Sequence, residues 1–540
     1  MLNILGAFLL YLAIALFFQR RILRYLRFFQ QQEYKNRLYL EWILEKRAFD
    51  SRASLLLACL SVIALFCGQS NELFILAAQL LAAIAIIIIP CFEEDPRKFG
   101  KVPLKMTERA LRIYRLSLVL YSCILLLSFI TLPSQSLILQ SLVLIFLVQS
   151  TPLFLVAANC LLQPFEQKLQ QTFLNEAKAK IRSINPYVIG ITGSYGKTST
   201  KSILAELLNV ALGPTFWPPK SYNTLMGITR EIRERLVPGY RYAVVEMGAY
   251  GIGSIEKLCE LCPPKAGIVT AVGLMHLERF GSEANVFCAK SELAKAVPKD
   301  GILVCNGDNE GARQIAAQNP KAITLLYGLD CSKGHLDCTV SEVSFSEEGA
   351  HFFLHWKGNR HKAQTKLLGK TSLSNILAAF TMACALGAKP ELLIAALQNI
   401  EPVDNRLSLQ KIGDVLWLKD AYNSNPEGFA AALEVLQAIP ASRRILMTPG
   451  MIELGEKQYE SNYNAAKKAA GICDLLIIVG VTNRKPLEEG LMAAGFPKEK
   501  LLFMPGRQEG FEFLSDNLKT GDVVLIENDL VDLYEPNTKF

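Results

Sequence analysis

Charge is scarce in this chain. Asp, Glu, Lys and Arg make up 20% of its 540 residues against 51% hydrophobic ones, which excludes a disordered or collagen-like protein. The thirteen cysteines are an odd number, and Cys59, Cys67, Cys91, Cys123 and Cys160 lie in or beside apolar runs, so a disulfide framework is excluded. Cys259-Glu-Leu-Cys262 has zinc-ligand spacing, but no second Cys pair completes a tetrahedral site. Internal repeats and low-complexity tracts are absent, which excludes a solenoid. No positive residue precedes the first apolar stretch, which argues against a cleavable signal peptide.

Long uncharged runs are present, at 1–19, 53–71, 73–92 and 116–165. Each approaches or exceeds the ~20 residues a helix needs to cross a bilayer. Pro133-Ser-Gln-Ser136 divides the last run, so spans are expected near 2–18, 53–70, 73–90, 116–132 and 137–162. A re-entrant hairpin over 53–92 is the alternative. The loop 19–52 carries nine Lys/Arg and the loop 93–115 carries seven, whereas the other two loops carry none. The positive-inside rule then places the N-terminus outside and everything after 162 in the cytoplasm. The formal charge of +7 belongs entirely to residues 1–162, with 16 basic and 9 acidic residues; residues 163–540 hold 41 of each. That distribution points to anionic lipid headgroups and away from nucleic acid.

The expected fold is multi-domain. A helical transmembrane bundle over 1–162 is followed by a linker helix over 163–184, an α/β P-loop-type domain over 185–401 and a Rossmann-like α/β domain over 402–540. From 187 onward apolar strands alternate with helical segments, the rhythm of a mainly parallel sheet. Strands are expected at 187–192, 242–247, 266–272 and 302–305, and in the last domain near 414–419, 443–448, 474–480 and 522–526.

Gly190-Ile-Thr-Gly193-Ser-Tyr-Gly196-Lys197-Thr198-Ser199 falls at a strand-to-helix turn. Glycines there let backbone N–H groups curl around phosphates, and the helix N-terminus adds positive potential. Lys197 is positioned to reach terminal phosphates and Thr198 to bind Mg²⁺. The general pattern asks for Gly where Ile191 stands, so Thr192-Gly193 takes over the turn.

This stretch resembles the nucleotide loop of the Mur ligases. Further matches follow in order: Asn223 in SYNTLMGI, Glu246 in VVEMGA, His276 in HLERFGS, Lys290 in AKSE, Asn306 to Asp308, Arg406 in NRL, Asp420 to Pro426 in DAYNSNP, and MIELG at 451–455. They look most like the D-alanyl-D-alanine-adding branch. The resemblance implies an ATP-dependent amide ligase of cell-wall precursor synthesis, working through an acyl phosphate. It also implies ATP held by Thr192 to Ser199, Asn375, Arg406 and Asp420. Two Mg²⁺ ions would lie at Thr198, Glu246, His276 and a carbamylated Lys290, with Lys197, His276 and Lys290 catalytic. Substrate would meet Asn223, Asn423 and Asn425, although Asn-rich segments ending in Pro also cap turns.

Three departures stand out. Apolar runs occupy the place of the family's sugar-nucleotide domain. Ser372 replaces an Asn of its Gly-x-His-Asn-x-x-Asn pattern, and Glu527-Asn-Asp-Leu530 lies where a Lys-Gly-Ser segment is expected. The departures fall on substrate recognition, so the acceptor is expected to be a muropeptide, free or lipid-linked, and the amine an amino acid or dipeptide. A poly-γ-glutamate-synthase-like ligase is the alternative enzyme reading, and an ATP-binding membrane sensor or transporter the alternative class.

Overall fold

Runs such as Tyr-Val-Ile-Gly-Ile-Thr and Ile-Leu-Val-Cys-Asn have no polar alternation, as strands covered on both faces require. The computed structural model, which describes residues 2–67, 72–99, 102–132, 137–273, 280–346, 348–421 and 424–529, builds a parallel sheet from them. The chain divides into a helical unit, Met1–Leu169, and an α/β unit, Gln170–Leu530.

Among the described residues of the helical unit three helices are long and apolar enough to cross a membrane: Ile4–Gln31, Glu72–Phe92 and Glu108–Thr131. Five spans were expected, and two regions differ. Ser51–Cys67 ends at 17 residues, short of a full crossing. The run 137–162 is broken into Leu137–Gln149 and Thr151–Ile184, bent by 57°. Pro152 explains the break: proline has no N–H to donate and is tolerated in a helix's first turn, so a new helix starts there. The expected linker helix 163–184 is the continuation of that second helix, which runs through Pro164.

The α/β unit contains two sheets. The larger has nine strands in the order β2-β3-β1-β4-β5-β6-β7-β8-β9. Its parallel part comprises β1 (Tyr187–Thr192), β2 (Thr215–Phe216), β3 (Tyr242–Glu246), β4 (Ala266–Val269), β5 (Ile302–Asn306) and β6 (Ile323–Tyr327). An antiparallel meander, β7 (Cys338–Ser346), β8 (Gly349–Trp356) and β9 (Asn359–Thr365), extends it, and β8 alternates buried and half-buried residues along most of its length. The order reverses at β1, which pairs with β3 on one side and β4 on the other. Ligands of such sheets bind beyond the strand ends at this reversal.

The smaller sheet runs β10-β11-β15-β12-β13-β14. It contains β10 (Ser408–Ile412), β11 (Val415–Asp420), β12 (Arg443–Thr448), β13 (Leu475–Val479), β14 (Leu501–Met504) and β15 (Asp522–Glu527). β11 and β15 are parallel neighbours in register, Asp420 opposite Glu527, so both carboxyls emerge at one sheet end.

Candidate active site

The turn after β1 positions the first cluster. Gly193 and Gly196 have positive φ, 150° and 79°. A Cβ on Gly193 would collide with the Thr270 hydroxyl, and one on Gly196 with the Asn375 side chain, so only glycine fits either place. The Thr192 hydroxyl donates to the Met247 carbonyl at 3.0 Å, tying the turn to the end of β3. Ser194 donates through its hydroxyl to the Gly273 carbonyl at 3.1 Å and accepts from the Gly273 N–H at 2.9 Å. Asn375 accepts from Thr200 at 3.2 Å and so braces the turn from the helix Gly369–Ala385.

Lys197 opens the helix Lys197–Ala211, and its ammonium folds back to donate to the Gly193 and Ser194 carbonyls at 2.8 and 3.1 Å. Burial pushes its pKa down, opposed by Glu246 and reinforced by Arg406. Glu246 ends β3, 1% exposed. Its Oε2 accepts from the Thr198 hydroxyl at 2.8 Å and its Oε1 from the Asn223 amide at 2.8 Å. Arg406, from beside the smaller sheet, donates to the Thr198 hydroxyl at 3.3 Å. Lys290 is buried on the helix Glu283–Ala296; burial, then the nearby Lys197 ammonium, holds its pKa well below the usual lysine range.

Lys201 was not singled out by its sequence. It is buried, its ammonium lies 3.7 Å from Glu246 Oε2, and it donates to the Lys220 carbonyl. Its signal is the i, i+4 spacing from Lys197, which puts both on one side of the helix. Three basic side chains, Lys197, Lys201 and Arg406, therefore gather around the Glu246 carboxylate, and Arg406 also faces Asp420. Such an excess suits a polyphosphate.

Mg²⁺ is commonly held by one or two protein oxygens together with substrate phosphates. Thr198 and Glu246 offer that pair of donors. Among the described residues no three His, Cys, Asp or Glu side chains form a cage that would hold an ion alone. His276 and Asn423 lie outside the described residues.

A cavity of about 250 Å³ is lined by Gly196, Ser199, Arg406, Asp420 and Glu527 among others. Ser372 and Asn375 line it, so the substituted position faces the same space as the Asn that is kept. Burial pushes the Asp420 carboxyl up to about 7, opposed by Arg406 and by the Leu407 N–H it accepts at 3.2 Å. Burial, then Asp420, pushes the Glu527 carboxyl well above the usual carboxylate range; Ser424 donates to its Oε1 at 2.5 Å. Asn425 caps the helix Pro426–Ala438 by accepting from the Gly428 N–H at 2.9 Å, the turn-capping alternative for this segment, while also lining the cavity. Asn223, expected at substrate, has its amide on Glu246 and accepts from the Tyr250 hydroxyl at 3.3 Å. Glu427 bonds the Tyr195 hydroxyl and joins the smaller sheet's side of the cavity to the turn after β1.

Residues 191–383 match the Mur ligase middle domain and residues 405–527 the Mur ligase glutamate ligase domain. The chain is 32% identical over 305 residues to the UDP-N-acetylmuramoyl-tripeptide–D-alanyl-D-alanine ligase of Escherichia coli K12, covering 54% of this chain and 64% of that protein. It is 27% identical over 358 residues to the enzyme of the same name from Bacillus subtilis, covering 65% and 75%. The chain thus spans under two thirds of the Escherichia coli protein's length. The MurF ligase of Thermotoga maritima, solved in complex with ADP, superposes with a TM-score of 0.59 at 26% identity, over 67% of this chain and 80% of that one.

Proposed function

This chain belongs to the Mur ligase family, and from that premise we propose that it is an ATP-dependent ligase joining the carboxylate of a UDP-linked muramoyl tripeptide to the amine of D-alanyl-D-alanine. One observation carries the reading: Lys197, Thr198, Glu246 and Arg406 meet at the turn after β1, and Arg406 also lines the cavity that Asp420 and Glu527 line. The cations at the turn suit the triphosphate, and Asp420 is suited to the ribose hydroxyls.

A carboxylate is a poor electrophile. Transfer of the γ-phosphoryl to its oxygen gives an acyl phosphate and ADP; attack by the amine then forms the amide, expels phosphate and releases a proton. Both steps crowd anionic oxygens, which fixed cations stabilise. Lys197 exchanges its two loop carbonyls for phosphate oxygens, and Arg406 brings a second cation from beside the smaller sheet. Thr198 and Glu246 would hold Mg²⁺, which supplies charge neutralisation at the phosphates when bound. Asn223 keeps the Glu246 carboxylate oriented. Lys290, whose pKa burial lowers, is suited to take up CO₂ as a carbamate and so to offer an anionic oxygen to a second ion; His276 belongs to the same reading. Asn423 and Asn425 complete the proposed substrate contacts.

The helical unit is read as an anchor in the cytoplasmic membrane, N-terminus outside and α/β unit in the cytoplasm. Its candidate spans and two basic loops support this. The acceptor is accordingly read as open to lipid-linked muropeptides. Incubation with ATP, Mg²⁺, D-alanyl-D-alanine and either the UDP-linked tripeptide or its lipid-linked form, followed by mass analysis, tests both readings. The expected product carries one added D-alanyl-D-alanine. Phosphate release indifferent to the amine would instead favour an ATP-binding sensor.

A further inference from the structure

Two helices of the N-terminal unit change from apolar to charged sequence at one place. The apolar stretch of Leu2–Gln31 ends at Phe18, with Arg20, Arg21, Arg24 and Arg27 beyond it, and the apolar run after Glu72 ends at Phe92, followed by Glu93. The segment after Phe92 folds back on the first helix: Arg27 donates to the Val102 carbonyl at 2.8 Å, and Gln30 both donates to the Lys105 carbonyl at 2.8 Å and accepts from its N–H at 2.9 Å.

Between them lies a cavity of about 260 Å³, lined by Arg24, Arg27, Arg52, Phe92, Glu93 and Phe99 among others. Glu93 does not neutralise it. Arg21, fully buried, holds Glu93 Oε1 at 2.9 Å and Asp50 at 2.7 Å, and Arg24 reaches the same Glu93 oxygen at 3.1 Å. That carboxylate is thus drawn inward. Arg52 lies 3.7 Å from it, with its side chain 52% exposed. Residues 20–27, 50–52 and 93–98 together hold seven basic and four acidic side chains, Glu94 included, so the local balance is positive.

We propose that this cavity binds the phosphate of an anionic membrane lipid. A guanidinium presents a planar fork of N–H donors that matches phosphate oxygens. Two features select a lipid over a soluble phosphate. The cavity lies where two apolar helices turn charged, the level at which headgroups lie if these helices cross a bilayer. Phe92 and Phe99 stand beside the arginines 85% and 52% exposed, and an acyl chain covers them where a free ion leaves them wet. The assignment does not depend on the ligase reading, because no part of the nucleotide cavity enters it.

The test uses the full chain in bilayers of equimolar phosphatidylcholine and phosphatidylglycerol, with lipid retained after extraction counted by native mass spectrometry. The wild type is expected to keep phosphatidylglycerol over phosphatidylcholine. Arg52→Gln is expected to lower that retention roughly tenfold, as loss of a charge-assisted hydrogen bond to phosphate does, and Arg52→Lys to keep most of it. Arg37→Gln removes an equal charge from a site 89% exposed on the second helix and is expected to leave retention unchanged. Equal losses from Arg52→Gln and Arg37→Gln would mean diffuse attraction and would overturn the site. Displacement of the lipid by inorganic phosphate alone would overturn the lipid assignment. Should Arg52→Gln lower the thermal midpoint, Arg27→Gln repeats the comparison with the same two outcomes.

Discussion

In the helical unit Leu65, Leu81 and Phe146 are two thirds exposed while Arg21 and Asp50 pair at zero exposure. In the α/β unit Ile189, Val244, Ile268 and Val304 fill the sheet interior, and the buried charges gather at the strand ends. The difference in pairing is instructive. Arg21, fully buried, is held between two carboxylates. Lys197, Lys201 and Arg406 gather around Glu246, with Asp420 beside Arg406, and that cluster is read as completed by an incoming anion. Buried charge in the first case sets structure; in the second it marks a site whose stability is sacrificed for binding.

The largest expected effect breaks the second cluster. Lys197→Ala should lower turnover by roughly a thousandfold, as loss of a preorganised cation does, while thermal stability stays level or rises because a desolvated ammonium is removed. Steady-state kinetics and calorimetry on one preparation read both. The converse is expected in the helical unit. Arg21→Leu leaves Asp50 and Glu93 buried without their main partner and should destabilise that unit by ~3–5 kcal/mol, with ATP binding by the α/β unit unchanged; thermal unfolding in lipid and nucleotide titration measure the two.

A smaller change sharpens the contrast. Asn223→Ala removes a donor to Glu246 without removing a charge, and should raise the Mg²⁺ concentration needed for half-maximal activity about tenfold. The smallest effect is a slope. The Asp420 carboxyl is raised in the folded chain from 3.8 to about 7, so the folded state binds the extra proton and stability falls as pH rises from about 4 to about 7. Asp420→Asn should flatten that stretch of the stability–pH curve.

The turn after β1 was legible because its information is local: Gly193 to Ser199 specify a turn, a helix start and a cation within a few residues. The parallel strands were legible for the same reason, each being a short apolar run between turns. The polar edge strands were not. Asn-Arg-His-Lys-Ala-Gln-Thr of β9 and Ser-Leu-Gln-Lys-Ile of β10 carry little apolar signal, because hydrogen bonding to one neighbour places them in the sheet. The break beside Ser150 was hidden inside an uncharged run, although Pro152 marked it. The pairing of Asp420 with Glu527 comes from the register of strands far apart in sequence, which no local pattern encodes.

Calorimetric titration of the full chain with ATP, with and without Mg²⁺, tests the central claim most directly when Lys197→Ala and Glu246→Ala are titrated beside the wild type. The account predicts Mg²⁺-strengthened binding at one site, weakened by Lys197→Ala and made indifferent to Mg²⁺ by Glu246→Ala. Equal binding by all three proteins, or none by the wild type, would contradict it.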